Sequence, residues 1–376
     1  MPRLFKKHPL TVFRVVQSDQ LTLETGESPC DKLRRAAFKN IADGNALSLP
    51  GVVVMEDYRS VDFGPANTEF GEYVVFSVRQ DERKVPASAL QLAVDDALEA
   101  EMERVKELGK NYISRDRKRE IKQQIKLRLE AKVPPTPKVA DAWWNTSSGL
   151  VFLTGKAKGT REALSRLFEI AFGPRYALKE MNVMDIFPGI TLGTANDFAM
   201  NFMDWVWNNG SARRMPFGDE MILVNVGDKV VVQGNGDKLT FSSEGMCGLS
   251  TEIHEALSLS KRIVQLAIET GEDIDDYARI EIDTQLSPIL SVSVPTVTHH
   301  DEEEFDGALY TQIGNVERAY ERFLRMLVQF AAEKNREALL ADTEVLTAAS
   351  ACRDWLDKLR EEGATIEVSL GEKEAA

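Results

Sequence analysis

Basic side chains gather in one short stretch of the chain, and their spacing suits the binding of phosphate groups. Between Arg104 and Lys138 stand twelve lysines and arginines against four acidic residues, a net charge of +8. Lys118, Lys122 and Lys126 occupy every fourth position, so on a helix they form one row with about 6 Å between successive residues. Such a row can meet the phosphates of a nucleic acid. The other candidate phosphate contacts in this stretch are Arg115, Arg117, Arg119, Arg128 and Lys132.

The net charge of the whole chain argues against nucleic-acid binding. Its 376 residues carry 46 Lys+Arg and 60 Asp+Glu, a formal net charge of −14. Because the basic stretch holds +8 of that total, the remainder of the chain carries −22. An acidic surface would repel DNA, and the basic stretch beside it would attract DNA. A solvated helix face with the acidic body as its partner explains the same pattern, and both interpretations stay open at this point.

The elements that position these basic residues are predicted to be two helices, which form an arm over residues 87–138. From Ser88, a possible N-cap, to about Lys132 the chain carries no strand pattern and no proline, and Gly109 divides it. Prolines from Pro134 onward end the second helix. That helix has one narrow apolar stripe, formed by Ile121, Ile125 and Leu129. A thin apolar stripe predicts an antiparallel helical arm that lies outside the main core.

The rest of the chain predicts an α+β fold with a central mixed or antiparallel sheet, because strands and helices are segregated. Strands are predicted at residues 10–16, 51–55, 73–78, in a hairpin at 143–153, in a meander at 221–226, 229–233 and 238–241, and at 278–282 and 288–294. Helices are predicted at 30–42, at 160–172 with Thr160 as cap, and at 195–207, 250–269 and 315–332. The predicted domains are a central body (1–86 and 139–215), the arm, a base domain (216–332), and a helical extension with an acidic tail (333–376).

Patterns that would indicate an enzyme are weak, so we expect no catalytic residues, no metal site and no cofactor. His254-Glu255 is not followed by a second histidine at helical spacing, and no GxSxG motif occurs. Gly234-Asn235-Gly236-Asp237 lacks the third glycine of a phosphate loop and suits a hairpin turn. His299-His300 beside Asp301–Glu304 could hold a divalent cation or form an exposed acidic loop. Scattered carboxylates could form a two-metal nuclease site, although nothing in their spacing argues for one, so a metal-dependent nuclease remains an alternative.

Cysteine usage and hydropathy predict a cytoplasmic protein. Cys30, Cys247 and Cys352 are odd in number and far apart, which is typical of a reducing compartment. No run of about 18 apolar residues indicates a membrane span, and no apolar segment of signal-peptide length follows the basic N-terminus. We therefore expect no membrane partner.

Several blocks of the sequence share their order and spacing with a known family. They are the strand, charged turn and proline of Tyr73–Pro86 with the helical pair after it, the hairpin from Trp144 to Leu153, the stretch from Leu249 to Glu269, and Phe305-Asp306-Gly307. In these blocks the chain resembles the bacterial RdgC recombination-associated proteins, over roughly residues 10–332.

The resemblance implies a non-enzymatic, nucleoid-associated DNA-binding protein. RdgC-like proteins form a ring-shaped homodimer that encloses duplex DNA without reading its sequence and restrains recombinase assembly. The chain departs from the family at Val133–Lys138, after the arm, and at Gly245-Met246-Cys247, where a basic pair is common. Lys238 is the residue that could supply the DNA contact of the base domain instead. An acidic protein-interaction module is the remaining alternative.

Overall fold

The structure is a computed structural model, and it describes residues 3–5, 8–17, 27–39, 49–107, 109, 111–181, 195–209, 213–217, 220–234, 236–243, 247, 250–271, 277–284, 289–297 and 302–339. The chain divides into two compact units. The first comprises residues 13–179, and the second comprises residues 3–12 and the described residues from 180 onward. Both units combine helices with antiparallel strands, which confirms the predicted α+β class.

The first unit is a sheet with helices inserted between its strands. Strand β1 spans His8–Gln17, and its part from Phe13 onward belongs to this unit. The other elements are α1 (Pro29–Arg35), β2 (Gly51–Val53), α2 (Pro65–Thr68), β3 (Glu69–Phe70), β4 (Tyr73–Glu82), α3 (Ala87–Glu107), α4 (Arg115–Lys132), β5 (Thr136–Asn145), β6 (Leu150–Thr154), α5 (Lys158–Phe172) and β7 (Tyr176–Glu180). The strand order is β1-β6-β5-β4-β2, and β6, β5, β4 and β2 pair antiparallel. The predicted strands and the hairpin at 143–153 are confirmed.

Large aromatic side chains fill the core of the first unit. Trp143 is fully buried and its ring stacks on Phe152, with 5.0 Å between the ring centroids. Trp144 meets Phe168 and Phe172 of α5 edge to face, at 5.5 and 5.1 Å. Because α5 presents its apolar face to the sheet, this packing holds β5 and β6 in place. A rigid β5 matters because α4 leads directly into it.

The helix predicted at 30–42 is wrong in its length, because the chain leaves the helix early to pair with a strand. α1 ends at Arg35, and Ala37 then forms a parallel bridge with Val52. The amide of Phe38 donates to the carbonyl of Val52 at 2.9 Å. A Cβ at Gly51 would lie 2.3 Å from the Cα of Phe38, so this approach requires glycine.

Two predicted helix caps are also wrong, each by a few residues. α5 begins at Lys158 after Ala157, which makes no side-chain cap bond, so Thr160 lies inside the first turn. α3 begins at Ala87, which places Ser88 inside that helix. Helix ends fray, and their boundaries commonly differ by one or two residues from those that a cap pattern predicts.

The second unit is an antiparallel sheet packed against helices. Its elements are a 3-10 turn (Arg3–Phe5), the start of β1, α6 (Ala195–Asn209), β8 (Arg213–Phe217), β9 (Glu220–Gly234), β10 (Asp237–Ser242), α7 (Thr251–Ser258), β11 (Arg262–Gly271), β12 (Ala278–Asp283), β13 (Ile289–Ser293) and α8 (Glu302–Leu339). The strand order is β10-β9-β11-β12-β13-β1, with antiparallel neighbours. The predicted strands near 278–282 and 288–294 are confirmed.

The predicted three-stranded meander at 221–241 is wrong, because its first two strands are one. β9 runs unbroken through Gly227-Asp228, a pair of residues that predicts a turn. The pairing with β11 shifts register opposite this point, between Leu266 and Ile268. A Cβ at Gly227 would lie 3.2 Å from the Cβ of Ala267. The glycine therefore marks an irregularity in a strand where two backbones approach closely.

The helix predicted at 250–269 is wrong beyond its second turn. α7 ends at Ser258, Ser260 takes a left-handed φ of 63°, and β11 begins at Arg262. β11 lies between β9 and β12, and its residues Ile263 and Ile268 are fully buried. The apolar run has the composition of a central strand, and its helical spacing is incidental.

The last helix is longer than predicted. α8 begins at Glu302 and continues to Leu339, whereas the sequence predicts a helix at 315–332. Gly307 and Gly314 lie within it, and a Cβ at either position would meet no described atom within 4 Å apart from its chain neighbours and the backbone of its own helix. His299, His300, Asp301 and the tail beyond residue 339 lie outside the described residues.

One buried carboxyl group of the second unit predicts a pH-dependent stability. Asp204 in α6 has a side chain only 8% exposed, and Arg262 Nη2 contacts its Oδ2 at 2.8 Å. The other oxygen, Oδ1, has no hydrogen-bond partner in the structure. Burial outweighs the charge of Arg262 and raises the pKa of Asp204 from 3.8 to about 6.

The contribution of Asp204 to stability is therefore full below pH 3.8 and is lost as the pH rises through about 6. Relative to Asp204→Asn, we expect the unfolding free energy of the wild type to fall by about 2 kcal/mol between pH 4.5 and 8. Urea unfolding of both proteins at the two pH values measures the difference. Parallel changes in the two proteins would show that Asp204 does not titrate in this range.

Candidate nucleic-acid interface

The basic stretch is rooted in a pair of long strands. β4 and β5 pair over ten residues each, from Tyr73 opposite Asn145 to Glu82 opposite Thr136. α3 and α4 are inserted between Glu82 and Thr136, and the two helices contact each other. Lys138 forms an ion pair with Glu82 at this root. The two helices, here called the α3–α4 hairpin, therefore leave the sheet from a fixed point.

Local signals in the sequence set the ends of α4. The hydroxyl of Ser114 accepts a hydrogen bond from the amide of Arg117 at 3.3 Å, which caps the first turn. Gly109 has a φ of +72°, which favours glycine between two helices. At the other end, Pro134 and Pro135 follow Val133, the last residue whose amide bonds back into the helix. The division of the stretch into two helices near Gly109 is confirmed.

A narrow apolar cluster joins the two helices. Val94 of α3 and Ile121 and Ile125 of α4 are buried, each with less than 10% of its surface exposed. The half-buried residues around them are Leu90, Ala93, Ala97, Leu98 and Leu129. Burial of each large apolar side chain contributes about 1.5–3 kcal/mol relative to exposure. This cluster orients α4 so that one side of the helix faces α3 and the other sides face solvent.

All the basic residues of α4 except Arg117 lie on the solvent-facing sides. Arg117 is half-buried, and the remaining predicted contacts on α4 are exposed: Arg115, Lys118, Arg119, Lys122, Lys126, Arg128 and Lys132. Lys118, Lys122 and Lys126 follow one flank of the buried stripe, and the helical repeat of about 100° per residue puts Arg115 and Arg119 on the same flank. These five residues are called the basic row below.

Carboxylates of the protein only partly neutralise the basic row. Lys126 lies 3.5 Å from Glu130, and Arg119 lies 4.0 Å from Asp116. Such exposed pairs are weak and exchange readily with other partners. For the remaining members of the row the structure shows no acidic partner among the residues it describes, and these members are Arg115, Lys118 and Lys122.

Opposite charges are sorted between the two helices. α4 holds eight basic and three acidic residues, whereas α3 holds two basic and six acidic residues. An ion pair crosses between them where Arg117 Nε donates to Glu101 Oε1 at 2.8 Å. Arg117 Nη1 also donates to Glu120 Oε2 at 3.1 Å. α3 therefore neutralises part of the positive charge of α4.

The crossing pair remains charged around neutral pH. The hydrogen bond from Arg117 lowers the pKa of Glu101 below its ordinary value, and the attraction of the same guanidinium acts in the same direction. The hydrogen bond to Glu101, and then the one to Glu120, raises the pKa of Arg117. Arg117 thus differs from its exposed neighbours, because its charge is already committed to two carboxylates.

Lys238 stands apart from the other predicted contacts. It lies on β10 in the second unit, is exposed, and has no acidic partner among the described side chains. The structure therefore places eight of the nine predicted residues together on α4.

Sequence reasoning did not single out a smaller basic group at the start of α5. Lys156 and Lys158 are exposed there, and Ala157 provides no side-chain cap for the helix. The signal was two lysines placed directly before a helical pattern, since a helix N-terminus and basic side chains both favour anions. The pattern is short, and it does not by itself define a site.

Comparison of the chain with models of known protein families finds no match, and comparison with curated proteins finds none either.

Among the described residues, no group of three or more His, Cys, Asp or Glu side chains lies close enough together to hold a metal ion. Within the same residues, no helix combines the length and the apolar character that a membrane crossing requires.

Proposed function

We propose that the protein binds double-stranded DNA without sequence preference, through the basic row of α4. The observation that carries this proposal is the exposure of Arg115, Lys118 and Lys122 on one flank of a capped helix, without acidic partners among the described residues. Lysines and arginines at this spacing contact phosphates and carry no information about base sequence. The structure supports the exposure and alignment that such binding needs.

The charge of the remaining chain favours the same surface. Outside Arg104–Lys138 the chain carries −22, so DNA is repelled from most of the protein. Long-range repulsion elsewhere and attraction at one row orient the duplex as it approaches. Salt weakens both effects, which makes ionic strength the natural variable for a test.

We propose further that the protein acts as a homodimer. The support is the resemblance to RdgC-like proteins, in which a ring of two subunits encloses duplex DNA and restrains recombinase assembly. On this proposal the protein is not an enzyme and associates with the nucleoid, and Lys238 adds a contact from the second unit.

A salt titration of DNA binding tests the proposal. Fluorescent duplexes of two unrelated sequences are titrated with protein between 50 and 300 mM NaCl. If all five members of the basic row contact phosphates, the plot of log affinity against log salt should have a slope of about −4.5, since each contact contributes about −0.9. We expect equal affinities for the two sequences.

Other outcomes would identify the alternatives. Cleavage of the duplex with Mg²⁺ or Mn²⁺, abolished by chelator, would establish a metal-dependent nuclease. Absence of any binding at 50 mM salt would overturn DNA binding and favour a protein-interaction module. The acidic residues of α3 would then be the first surface to examine, because their carboxylates suit a basic protein partner.

A further inference from the structure

The apolar cluster of the α3–α4 hairpin covers only part of its length. In α3 the cluster extends from Leu90 to Leu98, and in α4 from Ile121 to Leu129. The first residues of α4, from Arg115 onward, lie beyond it. Three members of the basic row, Arg115, Lys118 and Arg119, and the cap residue Ser114 therefore depend on other contacts for their position.

The pair of Glu101 and Arg117 continues the contact between the helices beyond the apolar cluster. Glu101 follows Leu98 by one turn on α3, and Arg117 precedes Ile121 by one turn on α4, so both face the partner helix. Their side chains are 17% and 38% exposed, well below the 76% of Arg119. The bond of 2.8 Å from Arg117 Nε to Glu101 Oε1 joins residues sixteen positions apart.

We infer that Arg117 is a positioning residue of the DNA-binding surface and that Glu101, although acidic, is required for full DNA affinity. The inference rests on the proposed DNA binding. Arg117 holds the first turns of α4 against α3, and the adjacent residues Arg115, Lys118 and Arg119 are thereby kept in one row. When this anchor is lost, the end of α4 frays in the free protein, and DNA binding must restore the helix before the same phosphates are contacted, which lowers the affinity.

This role predicts that loss of the negative charge of Glu101 weakens DNA binding, whereas charge alone predicts that it strengthens binding. Removal of a negative charge near bound DNA ordinarily strengthens binding. Glu103 provides the matched control, because it lies two residues from Glu101 on the same helix, is exposed, and has no described basic partner. We expect Glu103→Gln to bind DNA as tightly as the wild type or up to about 2-fold more tightly. We expect Glu101→Gln to bind about 5-fold more weakly.

A double-mutant cycle separates positioning from phosphate contact. If Arg117 acts only through Glu101 and Glu120, Arg117→Gln leaves the slope of the salt plot unchanged within about 0.3, whereas Lys118→Gln lowers its magnitude by about 0.9. The double variant Glu101→Gln with Arg117→Gln should bind no more weakly than the weaker single variant, because both changes remove the same interaction. Additive losses would overturn the inference.

Amide hydrogen exchange tests the anchor without DNA. We expect Glu101→Gln and Arg117→Gln to accelerate exchange at residues 117–121, while Glu103→Gln does not. If the wild type fails to bind DNA but exchange behaves as expected, the proposed function fails and the anchor stands. If the wild type binds DNA and Glu101→Gln binds at least as tightly as Glu103→Gln, the inference is overturned and the proposed function stands.

Discussion

Reversal of three lysines of the basic row should abolish DNA binding at moderate salt. In the variant with Lys118, Lys122 and Lys126 changed to Glu, three phosphate contacts are lost, so the slope of the salt plot should fall in magnitude by about 2.7. The same relation makes three contacts worth roughly 500-fold in affinity at 0.1 M salt. Repulsion by the introduced carboxylates adds to this loss. Fluorescence anisotropy with a random-sequence duplex measures both quantities.

A control variant with the same net charge separates the effect of losing the basic row from the effect of a lower net charge. Lys39, Lys156 and Lys158 are exposed on the same unit, and their change to Glu alters the net charge by the same amount. We expect this variant to retain most of the affinity and the slope of the wild type. Unchanged circular dichroism of both variants would exclude unfolding as the cause. If the α4 variant bound like the control, the basic row would not be the DNA-binding surface.

The α3–α4 hairpin was predictable because its signals are local. A proline boundary, a dividing glycine, an apolar residue at every fourth position and lysines in parallel spacing all lie within about fifty residues. Each feature acts through neighbours one turn away, so no knowledge of the tertiary fold is needed. The strands of the first unit were predictable for a similar reason, since runs of β-branched and aromatic residues between turn residues dominate them.

The errors arose where a distant partner decides the structure. Residues 262–271 have helical spacing, yet they form the strand between β9 and β12 because both faces of that strand become buried. The same dependence hides the role of Arg117, which the sequence places with its exposed neighbours. Its half-buried position follows from the register in which α3 packs on α4, and Glu101, sixteen residues away, carries no sequence signal for that contact. Burial and pairing register are the quantities that a single sequence leaves open.

Removal of the whole α3–α4 hairpin should separate DNA binding from the fold of the first unit. β4 and β5 remain paired up to Glu82 and Thr136, which lie opposite each other at the root. A two-residue Asn-Gly turn can join such a pair in an antiparallel hairpin. We therefore expect a variant with residues 83–135 replaced by Asn-Gly to fold, since the chain then forms a short hairpin with its existing register.

The separation of the two apolar clusters supports this expectation. The cluster of Val94, Ile121 and Ile125 is distinct from the core around Phe76 and Phe168, so the deletion exposes little of that core. We expect the midpoint of thermal unfolding to stay within about 5 °C of the wild type, a shift that corresponds to about 1–2 kcal/mol in a domain of this size. DNA binding should fall below detection at 100 mM salt.

The deletion result discriminates between two physical pictures of this protein. If the basic row is the DNA-binding surface, a folded variant without α4 should lose its affinity for DNA, since the rest of the chain has a strongly acidic net charge. Retained binding with a reduced slope would place phosphate contacts elsewhere, with Lys156, Lys158 and Lys238 as the first residues to change. A variant that fails to fold would show that α3 and α4 support the sheet, and the triple lysine reversal would then decide the function by itself.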